Sequence, residues 1–448
     1  MKFVRFALLL AMVVALFGTV QPVAAVVYTY TSGYQVQNLS GAIANISIDY
    51  YSVQTSGGGG TSVTNAIDTV PAFGSKTYFP IHVSSGFSGS VVISSDQPVA
   101  SIVNLIGSGP GNANASYIGS SSGSGTMYLP LLMKGNSGIT TWYSLQNAGS
   151  TDATVNVSYS DGTTAGSITV KAGASYVFDQ GAETHSIPVF AGTITSSQPV
   201  VAVVVQEGTS VKTILATSGF TGGETNVLMP LINANNGPYI TGAQIQNIGT
   251  APTNVTVSYT PVPGLGTPCT ETRTIAPGAS QTFALAAFAG AAQPGMTTTC
   301  VKARFVGAAQ VTDNSASQPL AATVNQATSA IGGAYSSFLP SQATAKLVLP
   351  LIMDRNSGWW TGFNLVNVGT GPAAVSCAFT NTTYTVSKTL AVGEVLNDIQ
   401  NNKIADRYVG SGTCTATGEG AKIVAVVNEI APGAGDALLT YEGVNVAP

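Results

Sequence analysis

The chain repeats itself, and this repetition limits the folds that it can adopt more than any other feature. Three segments carry a proline inside an apolar run, and an asparagine that begins an Asn-x-Gly turn follows each proline at an interval of 17 residues. The pairs are Pro130 with Asn147, Pro230 with Asn247, and Pro350 with Asn367. Chance does not give this interval three times, so the chain consists of tandem copies of one structural unit.

Each copy continues in the same order, with an alternating run, a glycine turn and a late, very apolar run that ends on a polar residue. The N-terminal part follows this order too, because Asn38 takes the turn position and Gln97-Pro98 precedes a late apolar run. We therefore predict four units at residues 26–124, 125–223, 224–343 and 344–448.

The periodicity of the runs indicates strands throughout. Val155, Val157 and Tyr159 alternate with Asn156 and Ser158, which buries one face at a period of two. Short runs of this kind, separated by regular turns, predict all-β sandwich units, each self-contained. The proline of the opening run cannot donate to a ladder, so we expect an edge strand whose two halves pair with different sheets.

Residues 1–25 have the features of a signal peptide. Lys2 and Arg5 precede an apolar run at residues 6–17, and Ala25 ends a small-residue cleavage site. This run is shorter than the 20 or so residues that span a bilayer. We expect a secreted, extracellular or cell-surface protein with no membrane span in the mature chain.

The surface is expected to carry few charges. Charged residues make up 8% of the chain, whereas hydrophobic residues make up 44%. Removing Lys2 and Arg5 with the leader leaves 13 basic against 19 acidic residues, a net charge of −6. No basic patch is available for phosphates, which argues against nucleic-acid binding. Weak electrostatic repulsion favours self-association.

The Asn-x-Gly turn, the alternating Val/Thr run after it and turns such as residues 276–280 (Ala-Pro-Gly-Ala-Ser) together resemble Ig-like domains of the CARDB type. Such domains recur in tandem in secreted bacterial surface proteins. The resemblance covers essentially the whole mature chain and implies four tandem Ig-like β-sandwich domains that bind, space or scaffold. It specifies a fold and no activity.

Four cysteines in a secreted chain are expected to be oxidised. Three pairings are possible, and we expect bridges within the third and fourth units, Cys269 with Cys300 and Cys377 with Cys414.

No constellation of catalytic or metal-ligating residues is evident. The two histidines, His82 and His185, stand alone in different units, and the acidic residues are scattered. We therefore expect no enzyme activity, no cofactor and no metal site. The best candidates for ligand binding are aromatic residues near the start of the units, which could contact carbohydrate or pack internally: Trp142, Tyr239, Trp359 and Trp360.

The first unit lacks a counterpart of the opening proline-containing strand once the leader is removed. The C-terminal tail at residues 443–448 resembles that strand, through Val444, Val446 and Pro448. One hypothesis is that the tail of one molecule completes the first unit of the next, building a filament head to tail. The alternative is that the tail completes its own unit.

These observations favour a non-catalytic structural protein of the cell surface, such as a subunit of a fibre, sheath or layer. The alternative is an adhesin that binds extracellular glycans or other surface proteins.

Overall fold

The computed structural model describes residues 28–109, 111–208, 212–283, 293–431 and 435–446. The predicted leader, residues 1–25, lies outside this part. Apart from one 3-10 turn at Pro340–Gln342, the regular structure of the described residues consists of strands. The all-β class predicted from the sequence is confirmed.

Antiparallel pairs build every unit, and units 3 and 4 each divide into two separate sheets, whereas one sheet of 11 strands extends across units 1 and 2. Unit 1 contains β1 (Thr29–Asn38), β2 (Ala44–Thr55), β3 (Gly58–Gly59), β4 (Ser62–Val70), β5 (Ser75–Tyr78), β6 (Gly89–Ser95), β7 (Val99–Ser108) and β8 (Asn112–Ile118). Unit 2 contains β9 (Ser124–Met133), β10 (Ile139–Asn147), β11 (Ala153–Tyr159), β12 (Thr164–Val170), β13 (Ser175–Asp179), β14 (Val189–Gly208) and β15 (Ile214–Ser218).

Unit 3 contains β16 (Asn226–Ala234), β17 (Ile240–Asn247), β18 (Thr253–Pro261), β19 (Cys269–Ile275), β20 (Ser280–Phe283), β21 (Met296–Thr298), β22 (Phe305–Asp313), β23 (Leu320–Ala327) and β24 (Gly332–Ser336). Unit 4 contains β25 (Lys346–Asp354), β26 (Trp360–Asn367), β27 (Ala373–Phe379), β28 (Thr385–Leu390), β29 (Val395–Ile399), β30 (Tyr408–Thr417), β31 (Ile423–Ile430), β32 (Leu438–Glu442) and β33 (Val444–Asn445).

Unit 4 shows the shared arrangement of the sheets. One sheet has the order β28-β27-β30-β25-β33 and the other β29-β26-β31-β32. The side chains of β27 alternate between buried and exposed along the whole strand, as expected for a sheet with one buried face. The core of this unit includes Phe363, Leu365 and Phe379.

The repeated asparagine holds the same turn in every unit. Asn247 is fully buried, its Nδ2 donates to the carbonyl oxygens of Ala251 (2.8 Å) and Ile275 (3.0 Å), and its Oδ1 accepts from the Gly249 N–H (2.9 Å). Asparagine supplies both donor and acceptor, so no apolar residue can satisfy these backbone groups. The other units repeat the arrangement with Asn38, Asn147 and Asn367.

The proline-containing strand differs from the prediction. Both of its halves pair with the same strand, as β16 does with β22, and in unit 4 the strand lies between β30 and β33 rather than at an edge. The register shifts between Met229 and Ile232, on either side of Pro230. A local bulge therefore accommodates the missing N–H, and no change of sheet is needed.

The four units are not separate beads. The last strand of each unit packs beside that of the next, in the cycle β8, β15, β24, β32 and back to β8. The opening strand of each of units 2 to 4 also contacts the following unit: β9 contacts β17 and β23, β16 contacts β26 and β31, and β25 contacts β1 and β7. The units thus form a closed ring in which unit 4 contacts unit 1.

Candidate functional site

The last strands of the four units meet at a central junction, formed by β8, β15, β24 and β32 with the loop that contains Asp436. Hydroxyl groups link neighbouring units there. The Ser116 Oγ donates to the Thr440 carbonyl, the Ser218 Oγ to the Ile118 carbonyl, and the Ser336 Oγ to the Ser218 carbonyl, each at 3.1 Å. These bonds join unit 1 to unit 4, unit 2 to unit 1 and unit 3 to unit 2.

Asp436 bonds to the other three units at once. Its Oδ1 accepts from the Gly332 N–H of unit 3 (2.8 Å) and its Oδ2 from the Ile214 N–H of unit 2 (3.1 Å). Its backbone carbonyl accepts from Asn114 Nδ2 (2.7 Å), and its N–H donates to the Asn112 carbonyl (3.0 Å), both of unit 1. Asp436 is 1% exposed, so it is the buried point at which all four units meet.

A second layer of polar contacts surrounds the junction at the ends of the late strands. Between units 2 and 3, the Gln206 and Asn325 side chains exchange hydrogen bonds of 3.0 and 2.7 Å. Between units 3 and 4, Gln326 Nε2 donates to Asn428 Oδ1 at 2.7 Å. Carboxamides pair well here because each supplies a donor and an acceptor.

Carboxyl groups take part at the other two interfaces: Glu429 is at the position that Gln206 and Gln326 occupy in their units, whereas Glu207 lies one residue further along its strand. Glu429 Oε2 accepts from Asn104 Nδ2 of unit 1 at 3.0 Å. Glu207 Oε1 accepts from the hydroxyl of Tyr30 of unit 1 at 2.5 Å. Polar side chains therefore join the units at every interface of the ring, although the residue types differ from one interface to the next.

Burial favours the protonated form of two carboxyl groups at the junction, those of Glu429 and Asp436. Glu429 is 1% exposed, and burial raises its pKa to about 8 despite the Asn104 hydrogen bond. Burial also raises the pKa of Asp436 to about 8, against the lowering effect of its backbone hydrogen bonds. A charged carboxylate is costly in such a place, so both groups favour the protonated form near neutral pH.

No role is predicted for these residues from the sequence, although the sequence contains part of the signal. The late apolar runs end on Asn104, Asn325 and Asn428 at the same position of units 1, 3 and 4, whereas the run of unit 2 ends one position later, on Gln206. A polar residue recurring at the end of a buried strand is a candidate for a shared contact. Asp436 carries no such signal, because it follows a glycine-rich loop that has no counterpart of the same sequence in the other units.

The candidate aromatic residues are not brought together. Trp142 lies at the interface of units 1 and 2, where its Nε1 donates to Glu207 Oε1 (2.7 Å) and its ring meets Tyr30 edge-on at 5.7 Å between centroids. Tyr239 belongs to unit 3, and Trp359 and Trp360 to unit 4. All four side chains are partly buried.

Tyr239 and Trp359 occupy equivalent hairpins in their units. The Tyr239 N–H donates to the Asn236 carbonyl (3.3 Å), and the Trp359 N–H donates to the Asn356 carbonyl (3.0 Å). Trp359 packs partly against the core of unit 4. Trp360 begins β26 and lies opposite Ile430 of β31.

The C-terminal tail pairs with its own unit. Val444 lies opposite Val348 and Asn445 opposite Leu347, and the Val446 N–H donates to the Lys346 carbonyl at 3.0 Å. Pro448 lies outside the described residues. Donation of the tail to another molecule would require it to leave this edge first.

The disulfides have the pairing expected from the sequence, Cys269 with Cys300 and Cys377 with Cys414. The second joins directly opposed residues of β27 and β30. Disulfides are typical of proteins that fold outside the cytoplasm.

His185 is buried in unit 2, beside an acidic residue. Its Nδ1 lies 3.0 Å from Asp161 Oδ2, and its ring stacks on Phe190 with centroids 3.9 Å apart. Burial lowers the pKa of His185. With 1% of the side chain exposed, this histidine packs in the core and offers no surface to a substrate.

Other possible sites are shallow or incomplete. Within the described ranges, no group of three or more His, Cys, Asp or Glu side chains could hold a metal ion. A groove of about 350 Å³ lies on the outer face of β11 and β12, and hydroxyl and amide groups line it: Asn156, Ser158, Thr164, Ser167 and Thr195. None of the described helical segments is long and apolar enough to cross a membrane.

Comparison with protein-family models, curated proteins and solved structures finds no match for this chain. The central junction therefore has to be interpreted from its own geometry.

Proposed function

We propose that this chain is a non-catalytic structural protein that is secreted to the cell surface, where it forms the subunit of a fibre, sheath or layer. The observation that supports this proposal most is the central junction. Asp436 and the surrounding polar contacts hold four sandwiches in one block. A block of this kind resists bending between its units, which suits a load-bearing or coat-forming role.

The outer surface supports the same proposal. Outward residues of the exposed strands are small and uncharged, as in β11, where Thr154, Asn156 and Ser158 alternate with buried residues. Surfaces with few charges repel one another weakly, so copies can pack closely.

Electron microscopy tests this proposal. Negative-stain images of native cell surfaces, with antibody labelling of this protein, should show it in an ordered fibre or layer, and the purified protein should assemble at high concentration. Protein that is scattered on the surface and monomeric at every concentration would contradict the proposal.

A carbohydrate-binding adhesin is the second candidate, supported by Trp360 and by the hydroxyl-lined groove beside Asn156. A glycan array distinguishes it from the first. Binding that is lost in Trp360→Ala and kept in Phe73→Ala, an exposed aromatic residue of unit 1, would favour the adhesin.

A further inference from the structure

In the part of unit 1 that the structure describes, no strand lies at the sheet edge that the opening strand covers in the other units. In units 2, 3 and 4, the strands β14, β22 and β30 are each flanked on both sides, by β11 and β9, β18 and β16, and β27 and β25. The corresponding strand of unit 1 is β6. Among the described residues, β6 pairs with β2 alone.

The core of unit 1 is less covered at this edge. Ile93 of β6 lies opposite Ile48 and is half-buried. Its counterparts in the other units are fully buried and face a residue of the opening strand: Ile194 faces Met127, Val311 faces Val227, and Cys414 faces Leu347. The unpaired edge is thus also an apolar edge.

A second wall faces this edge from unit 2. The opening strands of units 2 to 4 pack against the outer face of the next unit, and in unit 4 that face contains Val366 (3% exposed) and Val424 (0% exposed). The same positions of unit 2 are Gln146 and Val201, which are paired in the same way. Both are only half-buried, as expected if no strand lies over them.

No strand of the described residues lies between the edge of β6 and the face that contains Gln146 and Val201, and we call this place the acceptor slot. Filled versions of the slot occur three times in this molecule, so the chemistry of the occupant can be read from β9, β16 and β25. Each occupant is extended, apolar on both sides of a proline, and uncharged except at the two end residues of β25. β6 itself has no charged residue and no proline, the usual protection of a free edge.

We propose that the acceptor slot binds an extended, uncharged strand of another polypeptide. The strand pairs antiparallel with residues 91–94, as residues 126–129 of β9 pair with residues 192–195 of β14. Its inner side chains cover Ile93, and its outer side chains rest on Gln146 and Val201. Main-chain hydrogen bonds supply the affinity, and the two apolar walls select the side chains. This inference does not depend on the proposed structural role, because a coat protein and an adhesin could both use the site.

Peptide binding to the exported protein tests the proposal. The full chain is expressed with export, and the N-terminus of the purified protein is sequenced. A fluorescent peptide with the sequence of β16 (Asn-Val-Leu-Met-Pro-Leu-Ile-Asn-Ala) is then titrated and followed by anisotropy. We expect saturable binding, with no binding of a scrambled peptide of the same composition.

Variants locate the bound peptide. Ile93→Asp and Val201→Asp, on opposite walls of the slot, should each weaken binding about tenfold or more, because each places a charge against the strand. The control Ile67→Asp changes an exposed residue of β4 and should leave binding unchanged. Because Val201 belongs to unit 2, its effect does not depend on the folding of unit 1.

Disulfide trapping tests the register. Ser94 is exposed and corresponds to Thr195, which lies opposite Thr126 of β9. The variant Ser94→Cys should form a mixed disulfide with a β9 peptide that carries Thr126→Cys. It should not form one with a peptide whose cysteine is moved by one residue. A disulfide from Ser94→Cys to a second copy would also support the proposal and would identify that copy as the donor.

Three results would overturn the proposal. The first is no peptide binding by protein that begins at residue 26. The second is binding that both wall variants leave unchanged. The third is retention of residues before 26 in the exported protein together with failure of the peptide to bind, which would assign the slot to the chain's own N-terminal segment.

Discussion

Glu429 is a buried carboxyl group between units 4 and 1, and its replacement by glutamine tests the physical account of the central junction. The variant Glu429→Gln keeps an oxygen that can accept from Asn104 Nδ2, and it removes the only ionisable proton of that contact. Unit 3 already has glutamine, Gln326, at the corresponding position. The substitution should therefore be tolerated sterically.

The sign and size of the effect follow from the pKa. Burial raises the pKa of Glu429 from 4.5 to about 8, so the folded protein binds this proton more tightly than the unfolded chain does. Its contribution to stability is complete below pH 4.5 and is lost as the pH rises to about 8. At 1.36 kcal/mol per pH unit the loss is at most about 5 kcal/mol. Water entry and relaxation reduce it, and we expect about 3 kcal/mol.

Thermal unfolding at pH 5 and pH 9 measures the effect. At pH 9, Glu429→Gln should unfold about 3–6 °C above the wild type, whereas at pH 5 the two should differ little. The matched control is Glu419→Gln, an exposed residue of the same unit, which should show no such difference. A Tm difference that is the same at both pH values, or a less stable variant at pH 9, would refute the reasoning. Asp436 contributes a slope of the same sign to all three proteins, so it cancels in the comparison.

Three further changes have defined outcomes. Asn247→Ala removes three buried hydrogen bonds of a turn and should lower the free energy of unfolding by about 2–4 kcal/mol in urea titrations, and Asn247→Asp, which cannot donate, should not restore it. The double variant Cys377→Ala/Cys414→Ala should lose about 2–4 kcal/mol in the same assay, and no loss would show that the bridge contributes nothing to unit 4. Asp436→Ala leaves the Gly332 and Ile214 N–H groups without their acceptor, so hydrogen exchange at both amides should accelerate at least tenfold, and unchanged exchange would contradict the role of this residue.

Features that depend on one unit alone could be predicted from the sequence. The interval between Pro230 and Asn247 locates an edge strand and a turn, because a proline and a turn-forming asparagine have strong local requirements. Alternation in β11 and β27 predicts which side chains are buried. The expectation that failed locally, a strand shared between sheets, overestimated the effect of one missing N–H, which a register shift accommodates.

Features that depend on how the units meet could not be predicted. Glu429, Gln206 and Asn325 are residue types that also occur on the solvated surface of a Ser/Thr/Asn-rich chain. The burial of Glu429 and Gln206 and the half-burial of Asn325 follow only from the orientation of neighbouring units. Trp142 was predicted as a candidate for ligand binding. Its contact with Tyr30 could not be predicted, because Tyr30 belongs to another unit. Long-range pairing of this kind leaves no periodic trace in the sequence.

Small-angle X-ray scattering of the purified protein tests the closed ring most directly. A compact block of roughly 420 residues should have a radius of gyration of about 22 Å. Four sandwiches in a row, each about 35 Å long, would give about 40 Å. A value near 22 Å with a single-peaked distance distribution is the result expected from contacts between units 1 and 4. A value near 40 Å would show that these contacts do not form in solution.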